Sequence, residues 1–563
     1  MRKTILTYIF TFFLFTFLFS QKVTLRYDKY YDYEALGKAL QKLCKLHPKI
    51  SSLEVLGKSS QGRNLYLVKI FNPKTGNEFE KTGFYIEGNI HGNEIQASEV
   101  ALYTIDYILT NYDKNPEIKK LVDRYVFYIL PSFNIDGREN FIHNLNTKDS
   151  SRSAMVKIDD DKDGRVDEDG YEDLDGDGEI LTMIKKVKYG NYVKDKKDPR
   201  ILRRVKPGEV GDYIILGSEG IDNDGDGRVN EDPIGYLDMN RNFGYNWMPS
   251  YIQMGAGKYP FCTSELESVR KFLMSHPNIL IFEDLHNYGG MFLRGPDAKT
   301  SPPFPPMDKN VYDFLGKEGV EIVPGYKYLI SYKDLYNVYG GSTDFAYYLL
   351  GAYSFTVELY TLQRDFNKDG KVSDKERMKW NDELLMKEYF RPWKKFHHPQ
   401  FGDIELGGWV KMSTRIPPGF RLEQMCHRVF SFFMYTAQNL PQVTFDEVSV
   451  KKISKNTYMV DFTLINKGKI PTFTQIGKIK KVHRSDLLFV NGGKLVSAEF
   501  RESREPEIFS DVKLYGNKFK INLPLKGLTP FHYRIIVNSN KKKVKLIYSS
   551  LKGGKVEKEV SLM

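Results

Sequence analysis

Cysteine is nearly absent: the 563-residue chain has three, Cys44, Cys262 and Cys426. One disulfide at most can form, which excludes a disulfide scaffold, and with no C-x-x-C pair a cysteine-based structural zinc site is excluded as well. Tryptophan is also scarce, at four, whereas Tyr and Phe reach 37 each, enough apolar area for a large core. After the first 20 residues no apolar run approaches the roughly 20 needed to cross a bilayer, so stable membrane insertion is not expected. A basic excess is missing from most of the chain too. The formal net charge is +11, but residues 437–563 hold 24 Lys and Arg against 11 Asp and Glu, leaving −2 for everything before them. A nucleic-acid-reading enzyme is therefore not expected. The basic segment leaves an acidic surface, such as a membrane, polysaccharide or cell wall, as its candidate contact.

What is present begins with an address. Arg2 and Lys3 precede the apolar run Ile5–Phe19, closed by Ser20 and Gln21, the pattern of a secretory signal peptide over 1–20. The mature protein is expected to be secreted, extracellular or periplasmic. Leu36, Leu40 and Leu43 then mark an amphipathic helix from Tyr30 to about His47. Runs at Gly83–Gly88, Tyr125–Pro131, Ile279–Leu285 and Tyr353–Leu359 read as buried strands, alternating with helices such as Ile95–Leu109 and Thr263–Ser275. That rhythm predicts an α/β domain over 21–436, a mixed, mostly parallel sheet covered by helices, with its chemistry past the strands' carboxyl ends. Residues about 156–235 interrupt it, rich in Asp and Gly. From 437 to 563 short alternating runs predict an all-β sandwich.

The first strand leads into Asn89-Ile90-His91-Gly92-Asn93-Glu94 and a helix. An imidazole and a carboxylate three residues apart at a helix start can reach one cation. With ten histidines in the chain such a pair is common by chance. Two other strand ends give it weight: Ile279–Leu285 delivers His286, and Tyr353–Leu359 carries Glu358 in an otherwise apolar run. A carboxylate there is costly to bury without a role. Two histidines and a glutamate with an open fourth position form a known catalytic zinc set, with Glu358 left over as a proton acceptor.

These residues, with three further segments, resemble the zinc carboxypeptidases of the carboxypeptidase A/B superfamily over most of 25–436. Pro131-Ser132-Phe133-Asn134-Ile135-Asp136-Gly137 is similar to the family's P-x-x-N-P-D-G turn with Ile135 for Pro. Asp238-Met239-Asn240-Arg241-Asn242-Phe243 is similar to D-x-N-R-N-F/W, and Tyr336, followed by Gly340-Gly341-Ser342-Thr343-Asp344, precedes Glu358 by 22 residues, the family's spacing. The resemblance implies one catalytic zinc on His91, Glu94 and His286. It makes Glu358 general base and acid, Asn240 and Arg241 holders of the substrate's terminal carboxylate, and Tyr336 the mobile tyrosine. It also requires an oxyanion arginine, assigned to Arg152 with Arg138 as runner-up. Thr343 falls at the base of the side-chain pocket, where a residue neither acidic nor aliphatic implies a neutral or mixed preference. Peptide or protein C-termini are the implied substrate, acted on by a monomer.

Four segments follow D-x-[DN]-x-D-G: Asp159-Asp161-Asp163, Asp173-Asp175-Asp177, Asp222-Asp224-Asp226 and Asp365-Asn367-Asp369. Oxygens at positions 1, 3 and 5 with Gly at 6 wrap a calcium ion. Only the last is complete, with Lys371 at position 7 and Glu376 at position 12. The others have Gly170, Ile184 and Pro233 there, so acids such as Asp167, Asp169, Glu172 or Asp232 are expected to finish their shells. Structural calcium at two or more loops would order the insertion that ends at Asn240 and Arg241. The competing readings are an amidase of the same fold acting on cell-wall or modified peptides, and a non-catalytic calcium-dependent binding protein. The second predicts a broken catalytic set, which this chain does not have.

Overall fold

The computed structural model describes residues 24–159, 164–360, 365–502 and 508–562. The signal-peptide reading and the loop positions Asp161 and Asp163 lie outside the described residues.

The region before residue 437 is built on an eight-stranded sheet in the order Ser51–Lys58, Asn64–Ile70, Val126–Leu130, Gly83–Gly88, Ile279–Asn287, Tyr353–Leu359, Met291–Arg294, Lys327–Ile330. The four central strands, Val126–Leu130 to Tyr353–Leu359, are mutually parallel, and antiparallel pairs flank them. Their residues are apolar on both faces because helices cover both. Phe84, Ile86, Phe355 and Val357 join one core with the helices Gln96–Asn111 and Gly419–Gln438. Tyr85 and Phe282 join the other with Ser264–Ser275.

Local signals explain the helix ends. The first helix is Tyr33–Leu46, shorter than expected, because Asp32 caps it by accepting from Ala35 N at 2.8 Å. Thr263 caps Ser264–Ser275 through Leu266 N. The helix expected from Ile95 starts at Gln96, so His91 and Glu94 sit on the turn before it, with Glu94 N donating to His91 O.

The interruption is not the irregular segment that its composition suggests. Thr182–Gly190, Tyr192–Lys194, Leu202–Arg204 and Gly211–Ser218 form one six-stranded sheet with Phe390–His398 and Gly402–Trp409 from beyond the catalytic motifs. The insertion leaves and returns at one place, where Ala154 N donates to Leu237 O at 2.8 Å. The C-terminal region forms antiparallel sheets of five and four strands around a shared core that includes Phe462, Leu488, Ile535 and Leu546. One short helix, Gln475–Ile479, interrupts the expected all-β pattern and docks on the region before residue 437, where buried Asp308 accepts from Gln475 N and Ile476 N at 2.6 and 2.9 Å.

Candidate active site

His286 and Glu358 are direct partners on neighbouring parallel strands, and the Gly83–Gly88 strand runs out toward His91 beside them. His91, Glu94 and His286 are 1–2% exposed. The Nδ1 atoms of the two imidazoles lie 3.1 Å apart, with Glu94 Oε1 3.0 Å from His91 Nδ1 and Oε2 3.0 Å from His286 Nδ1. Asp238 Oδ1 lies 3.1 Å from His91 Nε2, and Asp284 Oδ2 lies 2.9 Å from His286 Nε2. A carboxylate at each Nε2 favours the N–H there and turns both Nδ1 lone pairs toward Glu94. Two lone pairs and a carboxylate facing one another call for a cation. Ligand atoms around tetrahedral zinc with bonds of about 2.0–2.1 Å stand about 3.3 Å apart, so this donor set fits zinc.

The charges around the cluster agree. Burial resists ionisation of Glu94, but His91 and His286 outweigh it and hold its carboxyl well below the ordinary range. Burial also opposes charge on His286, yet Asp284 and Glu94 push its pKa up. Glu358 differs: burial, with Glu94 adding to it, raises its pKa to about 7 against the pull of His286, Arg152 and Arg415. Its Oε2 is buried without a hydrogen-bond partner.

One pocket is lined by His91, His286 and Glu358 together with Arg152, Asn240, Arg241, Tyr336 and Thr343. Arg152 Nη1 donates to Glu94 Oε1 at 2.9 Å, and its Nε lies 3.4 Å from Asp238 Oδ2. Its backbone is pinned by Gly92 N and by Asn134 Nδ2, both donating to Arg152 O. The runner-up Arg138 is fully buried away from this pocket, donating to Glu99, Tyr31 O and Ile95 O. Arg241 Nη1 donates to Asn240 O at 2.8 Å, and Asn240 Nδ2 lies 3.2 Å from His286 Nε2. Gly340, at φ +68°, lies so close to Arg241 O that a Cβ would come within 2.4 Å of it. Tyr336 follows the wide helical turn Ser331–Leu335 and is 58% exposed.

Asp297 is the residue that sequence reasoning missed. It lines the same pocket, is 4% exposed, and accepts from Thr343 Oγ1 at 2.6 Å and Asp344 N at 3.2 Å. Burial raises its pKa, opposed mainly by hydrogen bonds from Thr343, Ser331 and Asp344 N. The only signal in sequence was an acid in Arg294-Gly295-Pro296-Asp297 shortly after His286.

The acidic loops lie apart from this pocket and share one geometry. In each, an oxygen of the first Asp (Asp159, Asp173, Asp222 or Asp365) accepts from the N–H of the Gly at position 6, at 2.7–3.2 Å. Those glycines sit at φ +83° to +97°, where a side chain would be strained. Asp222, Asp224 and Asp226 offer oxygens within 4.8 Å of one another. In the complete loop Asp369 N and Gly370 N donate to Asp365, Asp369 N also donates to Asn367 Oδ1, Lys371 N to Asp369, and Glu376 accepts from Phe366 N and Asn367 N.

A model of the zinc carboxypeptidase family matches residues 36–163 and 217–374, just over half of the chain. The chain belongs to the zinc carboxypeptidase family. The match stops across 164–216, inside the insertion, and a second model, of a domain of unknown function, matches 442–561. Carboxypeptidase D of Rattus norvegicus is 34% identical over 123 residues, 22% of this chain and 9% of that protein. Carboxypeptidase M of Mus musculus is 32% identical over 111 residues, 20% of this chain and 25% of that protein. The chain thus spans a quarter or less of these relatives. The crystal structure of carboxypeptidase A from Helicoverpa armigera aligns over 73% of this chain and 74% of that one, at 17% identity and a TM-score of 0.45.

Proposed function

We propose that this chain is a zinc-dependent carboxypeptidase that hydrolyses the last peptide bond of peptides and proteins, releasing one amino acid per turnover. The observation that carries this reading is the meeting in one pocket of the His91–Glu94–His286 donor set, Glu358 with its orphaned oxygen, and two arginines. Among the described residues the Arg241 guanidinium makes one hydrogen bond, to Asn240 O, with Asp238 Oδ2 3.9 Å from its Nη2; with Asn240 it grips the terminal carboxylate, a task suited to a planar fork. Arg152 stabilises negative charge on the scissile carbonyl oxygen. Glu358 accepts a proton from the attacking water at Oε2 and passes it to the leaving amine; a pKa near neutrality suits both transfers. Exposed Tyr336 closes over the bound residue. Zinc, held by His91, Glu94 and His286, supplies the Lewis acidity that makes water nucleophilic near neutral pH.

The pocket supports a preference for Lys or Arg at the substrate C-terminus. Thr343 is not its polar floor alone; behind it Asp297 offers a carboxylate, whose buried charge a cationic side chain would compensate. This replaces the neutral preference that Thr343 suggests. Asp297→Asn is expected to lower kcat/KM for C-terminal Arg at least tenfold while leaving C-terminal Leu within about threefold.

Secretion through the N-terminal segment, calcium in the acidic loops and contact of the basic β-region with an acidic surface belong to the same proposal, as does action as a monomer. The Asn240–Arg241 pair lining the pocket favours an ordinary terminal carboxylate over a cell-wall amide. The deciding experiment mixes purified protein, loaded with zinc and calcium, with peptides of varied C-terminal residue and follows masses over time. Stepwise loss of single residues, blocked by C-terminal amidation and by a zinc chelator, is the expected result. Intact peptides with zinc verified in the protein would reject the proposal.

A further inference from the structure

The loop at Asp173 has Ile184 where a position-12 carboxylate is needed. The structure brings Glu219, from the end of the strand Gly211–Ser218, to that place: Asp173, Asp175 and Glu219 offer oxygens within 4.8 Å of one another. Glu219 is not among the acids expected to complete the shell. Glu172, one of those, has Oε2 engaged by Ile221 N at 3.1 Å.

The contact pattern of Glu219 repeats that of Glu376 in the complete loop. Glu376 Oε1 accepts from the N–H groups of loop positions 2 and 3, Phe366 and Asn367, at 2.9 and 3.3 Å. Glu219 Oε1 accepts from positions 2 and 3 of its loop, Leu174 and Asp175, at 2.9 and 3.4 Å, while Oε2 accepts from Leu181 N at 3.1 Å. A carboxylate has about four acceptor positions, so at least one is left for an ion.

A separate observation points to that ion. The Asp175 side chain is only 7% exposed, and its Oδ1 is buried with no hydrogen-bond partner. Its other oxygen faces Lys394 Nζ at 3.2 Å, and the Lys394 side chain is 70% exposed, free to swing into water. Glu219 is fully buried, and no Lys, Arg or His pairs with it among the described residues. Buried carboxylate charge left without a cation is expensive.

We propose that Asp173, Asp175 and Glu219 bind a calcium ion in which Glu219 supplies, from a distant strand, the carboxylate that the loop's own twelfth position lacks. This rests on the calcium reading above and makes it specific. The all-oxygen donor set suits calcium rather than zinc. The ion would clamp the segment before Thr182–Gly190 to the end of Gly211–Ser218.

The test counts ions. Full-length protein stripped with EGTA is dialysed against calcium chloride, and bound calcium per chain is measured by elemental analysis and calorimetry. Glu219→Gln is expected to bind one calcium fewer than the parent. Asp175→Asn, which leaves the backbone hydrogen bonds of Glu219 untouched and guards against a folding defect, is expected to lose the same ion, and the double variant no more than that one. Glu376→Gln should lose a different ion, additively. Both single variants retaining the full count with unchanged affinity would overturn the assignment of Glu219 while leaving calcium in the other loops. A parent that binds no calcium would overturn both readings.

Discussion

Glu358 faces His286 across adjacent parallel strands, so a single backbone register fixes the two side chains beside each other. Glu358→Gln keeps the shape and removes the acceptor: zinc content measured by elemental analysis is expected to stay at one per chain while kcat falls by about 10²–10⁴. Near-normal turnover would remove Glu358 from the proton transfers. This residue was legible in sequence because an acid inside an apolar strand demands a reason. Asp297 and Glu219 were not. Each lies in a turn or at a strand end where acids are ordinary, and only the fold brings one behind Thr343 and the other to Asp175. For the oxyanion arginine the sequence order favours Arg152 and leaves Arg138 as runner-up. The structure puts one in the pocket and makes the other a buried partner of Glu99.

The elements most visible in sequence are those whose environment is uniform. Strands buried on both faces read as unbroken apolar runs, and the helix Ser264–Ser275 starts at its cap Thr263 as read, whereas the Asp32 cap makes the first helix start three residues later than its apolar spacing suggests. The insertion sheet was hidden because its strands are half exposed and pair with a hairpin about 200 residues away, Phe390–Trp409. Periodicity within a window carries no trace of such a partner. One turn invites a pH experiment. Lys552, after the strand Lys543–Ser549, is buried against the first residue of the His286 strand, its Nζ donating to Ile279 O, and burial lowers its pKa from 10.5 to about 7. Between those values the unfolded chain binds the extra proton, so stability is expected to rise with pH from about 7 to about 10.5. Below about 7 the cost of the buried charge is fully present, on the order of 5 kcal/mol, more than the 1–3 kcal/mol of an orphaned carbonyl. Lys552→Met is therefore expected to be the more stable form at pH 6 and to lose that advantage by pH 10.5, as read by denaturant titration at each pH.

At the scale of the whole molecule, cations are expected to do two separable jobs. Each calcium site held at 100 times its Kd adds about 2.7 kcal/mol to the folded state, and the loops that would use it are spread over the insertion and the segment after Glu358. Removing calcium with EGTA is expected to lower Tm by several degrees, and removing zinc alone with a selective chelator by less while abolishing turnover. Identical melting curves with and without calcium would contradict this. The hydrogen bond from Ala154 N to Leu237 O gives the insertion a common entrance and exit. A chain that departs and re-enters at one doorway can be lengthened, shortened or exchanged without moving the door frame. Arg152 stands on one jamb, and Asp238 with Asn240 and Arg241 stands on the other. A version joined directly from Val156 to Tyr236 by a short turn should therefore keep Arg152 beside Asp238, while the hairpin Phe390–Trp409 loses its strand partners, so the exposed loops of the insertion, not its sheet, are where new surfaces can be added at the least risk to the chemistry.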